Sequence, residues 1–67
     1  MASDTLAATA ALRRCARHQL LPEQESTIDA TLRLLEQTRA ALGQGDHARA
    51  ASLAREARQL AASLGCP

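Results

Sequence analysis

The stretch TLRLLEQTRAALGQGDHARAASLAREARQLAASL, from Thr31 to Leu64, is built of good helix formers and interrupted once, at Gly43-Gln44-Gly45-Asp46. Two glycines, Gly43 expected in the left-handed conformation just past the helix end, followed by a capping aspartate predict that two helices fold back on each other at this point. After the break, Ala50, Leu53, Ala57, Leu60 and Leu64 recur at steps of three and four, flanked by Ala54 and Ala61. Before it, Ile28, Leu32, Leu35 and Leu42 recur at four, three and seven, with Arg39 where a further apolar residue could stand. The expected hairpin seam therefore joins Leu32, Leu35 and Leu42 to Leu53, Ala57, Leu60 and Leu64. Leu34, with Ala41, forms a second apolar edge, and Leu34, Ala50 and Ala61 are the residues expected to face a partner.

Working outward, Leu20-Leu21-Pro22 marks a boundary, because proline disfavours helix in the residue before it and suits the first turn of a helix that follows. Glu23 and Glu25 then fall where the helix dipole favours anions. Ser26 with Asp29 offers a competing start as a capping box, but Pro22 is preferred. Further back, Ser3 or Asp4 can cap a first helix running to about Gln19. Its stripe of Ala8, Leu12, Cys15 and Ala16 is thin, with Leu6 and Ala10 offset, and Arg13, Arg14, Arg17 and His18 make a solvated basic end. The reading is an all-α protein, an antiparallel helical hairpin with an additional N-terminal helix. It forms one domain over residues 1–67, with helices at about 4–19, 22–42 and 46–64.

Composition narrows the function. The chain has no aromatic residue, and its apolar content rests on sixteen alanines and eleven leucines. A core of this kind in 67 residues is marginal, and a protein partner is the expected source of further stabilisation. Eight arginines against seven acids give a net charge of +1, which lacks the basic excess of a nucleic-acid footprint. No run approaches the roughly 20 apolar residues that span a bilayer. The start, MASDTLAATAALRRC, carries an acid at Asp4 and no basic residue before Arg13, unlike a secretory signal, so the expected location is cytoplasmic.

Little in the sequence suggests catalysis. Three alanine-rich helices are not expected to enclose a pocket with convergent polar groups, so neither an enzyme nor a bound cofactor is predicted. Cys15 and His18 lie three apart on one helix face, and an up-down-up bundle brings Cys66 near them, whereas His47 starts the third helix at the other end. A thiol or metal sensor built on those three residues is an alternative, as is a Cys15–Cys66 disulfide. The preferred reading makes Cys15 a small buried hydrophobe and Cys66 an incidental thiol, as a reducing compartment implies.

Two resemblances add to this. Gly45-Asp46-His47-Ala48-Arg49-Ala50, with Ala57 seven residues on and Leu34 in the preceding helix, resembles the turn and second helix of a tetratricopeptide repeat. Gln37, Thr38 and Ala41 depart from that pattern, and the chain is too short for an array. The span Gly45 to Gly65, GDHARAASLAREARQLAASLG, resembles the small E component of the type III secretion needle chaperone at Gly45-Asp46, Arg55-Glu56, Ala57-Arg58-x-Leu60 and Leu64. That resemblance implies a cytoplasmic co-chaperone whose hairpin binds a tetratricopeptide-like partner, the pair holding a needle subunit soluble before export. Self-association through the same edge, giving a homo-oligomeric regulator or adaptor, is the alternative.

Overall fold

The reversal at residues 43–46 sets the architecture. In the computed structural model, which describes residues 1–67, α2 runs Pro22–Gly43 and α3 runs His47–Ala62. Gly45 N–H donates to Leu42 O at 3.0 Å and Asp46 N–H to Ala41 O at 2.9 Å, a Schellman pair that satisfies the last carbonyls of α2. Gly45, at φ +75°, supplies the left-handed residue, whereas Gly43, the first glycine of the break, ends the helix itself. Asp46 then caps α3, its Oδ1 accepting from Arg49 N–H at 3.1 Å.

α1, Ala2–Cys15, completes an all-α three-helix protein. It packs along α3 and barely touches α2. Asp4 meets Arg58 near the start of α1, and Cys15 meets Cys66 at its end, so α1 runs parallel to α3. α1 begins at Ala2, close behind the Asp4–Arg58 contact, so the first turns of α3 and the hairpin tip lie beyond it. The result is a slender molecule, 38 × 19 × 15 Å.

Neither Ser3 nor Asp4 caps α1. The helix begins behind Met1 with no side-chain cap, and Asp4 instead lies in the first turn, 4.0 Å from the terminal ammonium and 2.8 Å from Arg58 Nε. The helix stops at Cys15 rather than near Gln19, since the end of α1 is tied to the C-terminal tail and the chain must turn back towards Pro22. α2 starts at Pro22, and Gln24 Oε1 accepts from Leu21 N–H at 2.9 Å, satisfying a donor at the boundary.

The seam differs from the leucine pattern. α2 buries Thr31, Leu35, Thr38 and Ala41, and α3 buries Ala50, Ala54, Ala57 and Ala61. Of the expected seam, Leu35, Ala57 and Leu64 are buried, Leu53 and Leu60 are half-buried, and Leu32 and Leu42 are 47% and 38% exposed. Ala50 and Ala61, expected on the partner side, are 0% and 2% exposed and belong to the interior. The physical reason is side-chain size. Small residues let two helices approach towards the lower end of the roughly 8–10 Å range, and at that distance a leucine fits only at the flank. Thr31 and Thr38 can serve as small interior residues because each hydroxyl donates to the carbonyl four residues back, Thr27 O and Leu34 O, at 2.8 Å. No buried side-chain polar atom lacks a partner.

This packing predicts an inversion of the usual mutational order. Ala54→Leu, at a fully buried contact, should cost about 1–3 kcal/mol by forcing the helices apart. Leu32→Ala, at an exposed position, should change stability by less than about 0.5 kcal/mol. Urea unfolding followed by circular dichroism measures both. A larger loss in Leu32→Ala than in Ala54→Leu would return the leucines to the seam.

Candidate functional site

Two features of the fold carry chemistry or binding capacity, one at the end where the chain termini of α1 and α3 meet and one along the flank of the hairpin. At the end, Cys15 and Cys66 form a disulfide with Cα atoms 5.1 Å apart, across a sequence separation of 51. Cys15 is buried, as read from the sequence, but Cys66 is half-buried and bonded rather than an incidental thiol. The up-down-up order places the ends of α1 and α3 side by side, and the tail after Gly65, at φ +67°, turns back onto α1. Joining the two sulfurs removes two of the three donors of the metal-sensor alternative, and no group of three His, Cys, Asp or Glu side chains converges elsewhere.

The tail is also held by hydrogen bonds. Gln24 Nε2 donates to Leu64 O at 3.1 Å while its Oε1 takes Leu21 N–H, so one amide joins the start of α2 to the end of α3. Arg14 Nε donates to Cys66 O at 3.3 Å. Apolar spacing does not reveal Gln24, although a glutamine three residues after a helix boundary is one half of the capping-box pattern, here without an acceptor on Leu21 to complete it. Arg13 and Arg17 pair with no carboxylate. The ion pair linking α1 to α3 is Asp4–Arg58, with the arginine half exposed, worth at most about 1 kcal/mol.

Along the flank, Leu34, Glu56, Gln59, Leu60 and Ser63 line an open groove between α2 and α3. At about 100° per residue, Leu60 lies some 160° around α3 from Arg58, which holds α1. The groove is therefore on the side of the hairpin that α1 leaves uncovered. Leu34, alone of the three residues expected to face a partner, lines that groove, half-buried and packed on the core cluster. Leu6, Leu21, Leu32 and Leu42 are exposed elsewhere.

No family model, characterised protein or solved structure matches this chain. What its own geometry offers is an apolar flank and a disulfide-clamped end.

The disulfide closes a loop of about 50 residues, which by chain entropy stabilises the fold by about 4 kcal/mol. Cys15→Ser with Cys66→Ser should lower the free energy of unfolding by about that amount, and the melting temperature by on the order of 20 °C. Thermal and urea unfolding of oxidised wild type and the double variant measure it. Equal stabilities would make the bond incidental to the fold.

Proposed function

We propose that this chain is a non-enzymatic interaction module that presents its hairpin flank to a helical partner. In the specific form implied by its resemblance, it is a cytoplasmic co-chaperone that pairs with a tetratricopeptide-like protein and helps keep a secretion-needle subunit soluble. The observation that carries the reading is the placement of the leucines. Of eleven, two are buried, while the interior is filled with alanine, threonine and cysteine. Each leucine newly buried against a partner contributes up to about 1.5–3 kcal/mol, and the alanine interior leaves that contribution unused in the isolated chain.

The groove defines what fits. A furrow between two antiparallel helices, with Leu34 and Leu60 in its floor and Glu56, Gln59 and Ser63 beside them, accepts the side-chain ridge of a third helix. A tetratricopeptide-like protein is made of such helices. No helix of this chain is long and apolar enough to cross a membrane.

Leu34→Asp places an unpaired charge in the groove floor without entering the alanine seam, so it should abolish binding while retaining helicity. Ala50→Asp, by contrast, places the charge inside the hairpin and should unfold it. The measurement is co-expression with the tetratricopeptide-like chaperone subunit of the source cell, followed by size exclusion and circular dichroism. Wild type should co-elute and Leu34→Asp should not. No complex with wild type overturns the co-chaperone reading, and a mass that rises with concentration in the chain alone assigns the flank to a second copy.

A further inference from the structure

We infer that Cys15–Cys66 is a redox latch on α1: a dithiol that opens the bond releases α1 from the hairpin and uncovers the apolar surface that α1 covers. Three observations converge on this. First, α1 is fastened at few points. Its buried residues are Ala8, Ala11 and Cys15, with half-buried Leu12 packed on the same cluster, so the contact is built of one leucine and otherwise small side chains. Beyond apolar packing it is held by Asp4–Arg58, by Arg14 on Cys66 O and by the sulfur bond, and two of those three ties end on residue 66. Loss of the bond frees the tail and so weakens both.

Second, α1 has room to leave. Ala16–Leu21 connects it to α2 with residues that are mostly exposed, and α1 scarcely touches α2. The hairpin has its own fastenings at the opposite end, in the Schellman turn and the Asp46 cap, which α1 does not reach. Third, the bond is approachable from one side. Cys66 is half-buried on a short tail outside any helix, while Cys15 is fully buried. A thiolate of the dithiol attacks Cys66 Sγ, the sulfur–sulfur bond breaks, and Cys15 Sγ leaves as thiolate and takes a proton. The second thiol of the reductant then attacks its own sulfur in the mixed disulfide and releases Cys66 as thiolate, which is protonated in turn. Two protein thiols form, and the dithiol becomes a disulfide.

What α1 vacates is defined. Ala57, Ala61, Leu35 and Leu64 form one buried cluster with Ala8, Ala11 and Cys15. With α1 gone, the part of this cluster that α2 does not cover becomes a narrow apolar strip on the hairpin. For its consequence this rests on the interaction reading above, because the strip widens the surface offered to a helical partner.

The test is hydrogen exchange by mass spectrometry on the full chain, oxidised and after dithiothreitol. On reduction the amides of α1 should gain at least about tenfold more in exchange rate than those on either side of the hairpin turn, which share only the loss of global stability. Cys15→Ser with Cys66→Ser should match the reduced state and ignore dithiothreitol. Unchanged α1 protection on reduction overturns the latch. So does an equal factor of loss in all three helices, which makes the bond a staple for the whole fold with no separate release of α1. The measurement needs no partner, so its outcome is separate from that of the co-elution experiment.

Discussion

Close approach of α2 and α3 through small side chains is the constraint from which the rest of the structure follows. Ala50, Ala54, Ala57 and Ala61 face Thr31, Leu35, Thr38 and Ala41, and a seam of this size excludes the leucines on either side from its centre. The leucines become flanks. One flank is partly covered by α1, whose own alanines continue the same close packing. The other is left as the Leu34–Leu60 groove. An interior of methyl groups removes little apolar surface from water per residue, and at this chain length a covalent cross-link is a common compensation.

The turn, the Pro22 boundary and the Asp46 cap are legible in the sequence because they are local, although the left-handed residue is Gly45 and not Gly43. Backbone conformation at a break depends on the residue standing there, and little else competes. The seam was not legible in the same way. Ranking positions by hydrophobicity places Leu32 and Leu42 inside, whereas the packing solution weighs size as well, and threonines that bond their own helix pass for apolar. That single shift sent Ala50 and Ala61 from the expected surface to the interior. Leu34, off the leucine repeat, is half-buried at the edge of the groove. The cysteine pair was visible as a geometric possibility of the up-down-up order. Its discount rested on compartment, an argument about surroundings that geometry does not share.

Compartment and bond meet in the same pair of residues. A reducing cytoplasm favours the thiols, and an oxidising one favours the bridge, so one chain can hold α1 in two arrangements without a change of sequence. Gln24 is relevant here because it keeps Leu64 on α2 by a hydrogen bond that oxidation state does not touch. The end of α3 therefore stays docked at its final turn even where the tail beyond it is free.

The cross-link also decides how the molecule bears a load. A pull applied at its two ends runs from Met1 through α1 to Cys15, across the sulfurs to Cys66, and out at Pro67. Everything from Ala16 to Gly65 lies off that path. Stretching the oxidised chain unravels α1 alone, a reach of about 50 Å at roughly 3.5 Å per residue, and then stops at a covalent bond. The hairpin, which is most of the protein, is mechanically silent until the sulfurs part.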